Sequence, residues 1–247
     1  MGLNDEAVDK INKNNCILCG EQLVYSEEYK ELNCVYCGKV FNSNVACGAE
    51  HYVCDVCHSL SGVDLILSYC KSTKKTNPIE MANDIMNSKD FFMHGPEHHY
   101  LVPAVLIASY YNSIGESEDF KGRKLLIAKE RAENVKGGFC GFYGSCGAAV
   151  GCGIFLSVIT STTPLTKDTW GLVNEGTGRV LLSLAKIGGP RCCKKGVFTS
   201  ITLAARLLDE NMNIKIYDWE KSIPKCNFSR FNKECIGKNC PYNVSNF

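Results

Sequence analysis

The chain has no long hydrophobic run. Its longest apolar stretches, 101–107 and 153–159, fall far short of the ~20 residues that a membrane-crossing helix needs. No membrane association is therefore expected. Charge of one sign is also missing: 27 Lys and Arg face 26 Asp and Glu, a net charge of +1. That removes the general electrostatic reason to expect nucleic acid or an anionic surface as partner. The first fifteen residues, MGLNDEAVDKINKNN, contain no apolar segment, which argues against a secretory signal. Glu6 stands where a myristoylation signal would have Ser or Thr. A cytoplasmic location is the expectation. The low hydrophobicity of disordered chains is absent too: 45% apolar and 21% charged residues describe a packed globular protein.

What the chain has instead is cysteine, sixteen in all, and they are grouped. In a reducing compartment, paired cysteines are metal ligands or redox centres rather than structural bridges. The pattern divides the chain into a finger-like module at 1–70, a helical core at 71–212 and a cysteine-rich tail at 213–247. The expected fold class is mainly α, with a small N-terminal zinc-finger-like module and a tail docking on the core.

In the first zone, Cys16 and Cys19 form one CxxC knuckle and Cys34 and Cys37 a second, each followed by glycine. Thiolates at i and i+3 reach one metal, and the glycine tolerates the tight turn. The intervening segment 21–33 is expected to form a short hairpin, giving a tetrahedral site of four thiolates. A second cluster follows: Cys47, Cys54 and Cys57, with His51 or His58 as a fourth ligand. Alternatively the pairs interleave, with Cys34 and Cys37 sharing a metal with Cys54 and Cys57. Either way zinc is the expected ion. So small a module buries too little apolar surface to fold without it.

The second zone reads as helices. Asn77-Pro78 has the N-cap and N1 signature for a helix over 78–92. Pro96 opens another, 97–115, in which Pro103 should introduce a kink or mark the true start. Residues 119–136 are amphipathic and end at Gly137-Gly138. Residues 147–159 are apolar and rich in small side chains, a closely packed buried helix. Further helices are expected over 176–187 and 196–211, and a strand over 213–219.

Three constellations carry chemistry. The glycine-rich run 137–153 presents Cys140 and Cys146, where a helix beginning near Cys146 offers its positive end to a thiolate or anion. Cys152 and the isolated Cys70 read as packing residues. Arg191, Lys194 and Lys195 flank Cys192 and Cys193, which should depress their pKa. His94, Glu97, His98 and His99 lie within six residues and are the candidates for acid–base work. Gly95-Pro96 forbids the continuous helix of an HExxH metalloprotease. Ser161, Thr162 and Thr163 read either as donors to an anionic substrate or as a loop cap. The tail thiols Cys226, Cys235 and Cys240 lack core-forming neighbours and must dock on something, most simply a cofactor site shared with Cys140, Cys146, Cys192 and Cys193.

The elements CGAEHYVCDVCH, HGPEHHYLVP, CGFYGSCGAAVGCG, Cys192-Cys193 and CIGKNCPY, with the paired CxxC motifs, resemble an uncharacterised cysteine-rich family of bacteria and archaea. Members are sometimes joined to S-adenosylmethionine-dependent methyltransferases or radical enzymes. The resemblance thus implies such an enzyme as partner and a role in a modification or cofactor pathway. There is a looser likeness to redox proteins with a C…GCAxxG…C…C pattern. Cys146-Gly-Ala-Ala-Val-Gly151 and Cys192 approximate it, without its Gly-Cys order.

Two classes of function follow. One is a redox protein or enzyme holding zinc on the N-terminal fingers and an iron–sulfur cluster on the later cysteines, with room for a small-molecule substrate. The other is a non-catalytic zinc-binding adaptor. A third reading makes Cys192 or Cys193 a sulfur or thiol relay.

Overall fold

The computed structural model describes residues 16, 18–19, 21–58, 60–88 and 91–247, with the side chains of Asp55 and His58 outside the description. The chain divides into two compact units, 1–73 with 83–92, and 74–82 with 93–247. It is mainly helical, with one small sheet.

The first unit is built on an antiparallel ribbon of β1 (Leu23–Asn33) and β2 (Val40–Cys47). Leu23 pairs with Cys47 and Asn33 with Val40, but the register slips between Tyr25 and Lys30. The hairpin thus turns at 34–39, between the two strands, rather than within 21–33 as its sequence suggested. The reason is local: Cys34 N–H donates to the Lys39 carbonyl at 2.9 Å, and Gly38 turns there with φ +69°. Helix α1 (Asp55–His58) and helix α2 (Gly62–Ser72) follow. Ser61 caps α2 by accepting from Asp64 N–H, and α2 buries Leu65, Ile66, Tyr69 and Cys70. Tyr69 in turn donates to Asp84.

Helix α3 (Pro78–Met86) begins where Asn77 Oδ1 accepts from Ile79 and Glu80 N–H, the capping its sequence announces. Helix α4 (Glu97–Ser113) is apolar on all sides and accordingly buried along most of its length. Pro103 sits inside it and has no N–H to offer the His99 carbonyl one turn back. Helix α5 (Glu118–Glu133) is capped by Ser117, and short α6 (Phe139–Phe142) follows Gly138 at φ +86°. Helix α7 (Gly147–Ile159) is the centre of the second unit, contacting α4, α5, α8 (Trp170–Ile187) and α9 (Cys193–Met212). Its approach to α4 is closest at Gly151. A Cβ there would lie 2.9 Å from both the His99 carbonyl and Pro103 Cδ. The carbonyl that Pro103 leaves without a helical partner is thus covered by glycine backbone.

Helix α8 begins at Trp170 and α9 at Cys193, each earlier than the glycine boundaries suggested. The segment 213–219 is not a strand. Among the described residues no strand lies beside it, and it packs back on α9 instead: Tyr217 donates to Thr202 and Trp219 Nε1 to Asp209, both at 3.1 Å.

Candidate metal and thiol sites

Among the described residues, two groups have ligand atoms all within 4.8 Å of one another: Cys16, Cys19, Cys47 and His51, and Cys34, Cys37, Cys54 and Cys57. Cys16 and Cys19 are therefore not one site with Cys34 and Cys37, which instead join Cys54 and Cys57. The interleaved pairing is the one the fold selects, and His51 is the nitrogen ligand available; the His58 side chain lies outside the described residues. The ribbon explains this. Pairing of Leu23 with Cys47 carries Cys47 back to the Cys16–Cys19 end, while Cys34 and Cys37 occupy the turn at the other end. Tyr52 then bridges to Cys34, directly after His51 has joined the first group. The bridge from Cys34 to Tyr52, next to His51, makes the two sites neighbours.

Within these groups the sulfurs are set up as ligands. His51 N–H donates to Cys47 Sγ, and Cys54 N–H to Cys34 Sγ, each at 3.4 Å. Burial works to raise both thiols, but the surrounding amides outweigh it and hold Cys34 and Cys47 below the ordinary thiol range. Burial pushes Cys19 up to about 12. Cys19 therefore deprotonates fully only when a cation replaces its proton. Donor type, number and convergence fit a tetrahedral ion such as zinc at both groups.

The second unit sorts its seven later cysteines into two sets. Cys226 N–H donates to the Tyr242 carbonyl at 2.7 Å, which closes the tail into a loop. Tyr242 donates to Thr199 at 3.0 Å and its ring meets Phe198 at 5.5 Å, which docks that loop on the first turns of α9. Cys192, Cys226, Cys235 and Cys240 thereby surround one small cavity of about 20 Å³. Each sulfur receives a backbone N–H: Cys192 from Lys195 at 3.5 Å, Cys235 from Gly237 at 3.4 Å, Cys226 from Phe228 and Cys240 from Tyr242. No three of these sulfurs lie within 4.8 Å of one another, so they stand wider than the ligands of a single ion. Lys194 is buried near them, its ring contact with Phe228 at 5.1 Å, and burial lowers it to about 8.

The other set faces a cavity of about 450 Å³, lined by Cys140, Cys146, Cys193, His98, His99 and Lys195 among others. Cys192 borders both cavities. His99 Nδ1 donates to the Val135 carbonyl at 2.8 Å, which leaves Nε2 as the acceptor. Its ring rests on the start of α7, where a Cβ at Gly147 would lie 2.2 Å away. His98 Nδ1 donates to the Gly95 carbonyl at 3.0 Å and stands 3.5 Å from Glu97 Oε1. Burial holds both imidazoles neutral by lowering their pKa, and it raises the Glu97 carboxyl.

His94 is turned elsewhere: its Nε2 meets Asn232 Oδ1 at 3.2 Å and Glu234 at 3.9 Å in the tail. The four residues 94 and 97–99 thus do not converge on one point. The expectation of activated thiols also needs correction. Burial raises Cys193 to about 11 and outweighs Arg191, and it raises Cys146 despite the amides of Ala148 and Ala149. Thr160, Thr162, Thr163, Thr166 and Thr169 hydrogen-bond among themselves, so that stretch is a loop cap. Cys70 and Cys152 are fully buried, and burial pushes Cys152 up to about 12, which suits packing and nothing else.

A family of unknown function, DUF5714, matches residues 66–243. The chain belongs to it. The DUF5714 match takes in the second-unit cysteines from Cys140 to Cys240, whereas both N-terminal metal groups lie before it. Nothing among the curated proteins or the solved structures matches the chain.

Proposed function

We propose that this is a metal-binding redox protein, with zinc on the two N-terminal groups and an iron–sulfur cluster on Cys192, Cys226, Cys235 and Cys240. The observation that carries the cluster is the set of four sulfurs around one cavity, each accepting a backbone N–H, yet too far apart to share one ion. Burial raises Cys226 to about 11 and raises Cys240, so these thiols give up their protons when iron replaces them. The amide hydrogen bonds and nearby cations would then stabilise the thiolates and tune the cluster's potential. Lys194 and Lys195 supply the cations. The loops bearing Cys226, Cys235 and Cys240 are turns with little core of their own, so they can open around a cluster as a long helix could not. When bound, such a group supplies one-electron transfer.

Anaerobic isolation followed by zinc, iron and acid-labile sulfide analysis tests the reading. Two zinc ions per chain are expected, one for each group, together with iron and sulfide and a broad visible absorption that bleaches on reduction. Cys226→Ser and Cys240→Ser should lose iron and keep zinc. Colourless protein holding zinc alone would remove the cluster and leave the adaptor reading.

A further inference from the structure

The larger cavity has its own thiols, and two of them bracket a glycine-containing loop. We propose that Cys140 and Cys146 form a redox-active dithiol that exchanges with small anionic disulfides bound in this cavity.

Three observations support it. Ser145 N–H donates to the Phe139 carbonyl at 3.1 Å, closing the loop so that Cys146 returns beside Cys140. Both sulfurs line the cavity, and the charge of Cys140 is felt at Cys146. They differ in access: Cys140 is exposed at the mouth, while Cys146 is half-buried at the start of α7. This is the arrangement of an attacking and a resolving thiol. Closing a disulfide requires α-carbons within about 7 Å. Gly137, Gly141 and Gly144 have open space around them, and Gly138 and Gly144 already hold positive φ, so the loop can supply that movement.

The cavity's charge selects the substrate. Arg191 and Lys195 line it, and neither Asp nor Glu does. Lys195 Nζ is held on the rim by the Gly188 carbonyl at 2.5 Å. With neutral imidazoles and protonated Cys146, the walls carry net positive charge. An anionic disulfide is attracted, and the departing thiolate is stabilised.

The exchange balances without a metal. The Cys140 thiolate attacks one sulfur of R–S–S–R, forming Cys140–S–S–R and releasing RS⁻. That thiolate takes the Cys146 proton and leaves as RSH. The Cys146 sulfur then attacks Cys140 Sγ, and the second RS⁻ departs, picking up the proton that Cys140 first gave to solvent. The products are the Cys140–Cys146 disulfide and two RSH, and a reducing thiol reverses the sequence. Neither sulfur belongs to the four around the tail cavity. Iron content therefore reads the cluster, and disulfide exchange reads this dithiol.

The test uses the full chain, isolated anaerobically with its metals, and a single equivalent of dithiobis(nitrobenzoate), a dianionic disulfide. Two thionitrobenzoates per disulfide consumed are expected, with a Cys140–Cys146 linked peptide by mass spectrometry. In Cys146→Ser only one should be released, the other remaining attached at Cys140. In Cys140→Ser the fast phase should vanish, while zinc and iron content stay unchanged. Arg191→Gln should slow the dianion roughly two- to fivefold, the scale of one exposed charge, and speed the dicationic disulfide cystamine, which the cation repels. A linked peptide joining other cysteines, such as Cys146 to Cys193, overturns the assignment. So does an unaltered fast phase in Cys140→Ser. Equal slowing of both disulfides by Arg191→Gln overturns the selectivity for anions.

Discussion

In the first unit, eight ligand atoms close into two groups, each spanning no more than 4.8 Å, and among the described residues a two-stranded ribbon is the only sheet. In the second, the helices meet around α7 in a continuous apolar interior, and the thiols line cavities at its edge. The same residue type serves opposite ends. In the first unit the cysteines form the centre, where an ion held by them would replace the apolar surface that so short a segment cannot bury. In the second the core makes the site, because helix packing and tail docking bring together sulfurs from distant parts of the chain. Stability should therefore depend on metal in one unit and on packing in the other.

Metal removal should separate them most sharply. Structural zinc contributes on the order of 10 kcal/mol to folding of comparable small modules. A strong zinc chelator, or Cys54→Ser, should leave residues 16–58 open to protease while the helical circular dichroism of the second unit persists. Loss of both together would break the distinction. The converse is Phe155→Ala. Phe155 is fully buried on α7, edge-on to Tyr110 at 6.4 Å. Its loss should cost about 3–5 kcal/mol in urea unfolding of the helical signal, with zinc content unchanged.

Acid should weaken the second unit more gently. His98 and His99 are held neutral, below the ordinary value of 6.5. Above pH 6.5 neither state binds the proton and nothing is lost. Below it the unfolded chain takes up protons that the folded one refuses, so stability falls as pH falls. Fully buried His98 alone accounts for up to about 1.4 kcal/mol per pH unit in that range. Urea midpoints of the helical signal, compared between about pH 7.5 and about pH 5.5, measure it. An unchanged midpoint would mean that these imidazoles are charged in the folded protein.

Much of the helical architecture could be read from local chemistry. Asn77-Pro78, the all-round apolar run after Pro96 and the small-residue stretch from Gly147 each announced an element the structure contains. Those signals act within a turn or two of chain, which is why they are readable. The failures were non-local. The segment 213–219 has strand composition, yet a strand exists only if another lies beside it. Arg191 and Lys194 looked like activators of Cys193, yet burial outweighs charge there, and burial is set by neighbours from elsewhere in the chain.

The cysteines show the same boundary. By itself the sequence pointed to groups that could hold metal, because CxxC spacing lets two thiolates reach one ion whatever the rest does. It also set apart the N-terminal pairs from the later thiols. Which pairs share an ion was decided by the ribbon's register, which brings Cys47 to Cys16 and leaves Cys34 to Cys54. The division of the later thiols between two cavities was decided by the docking of the tail on α9. Both are matters of distance between residues far apart in the chain, and only packing sets those distances.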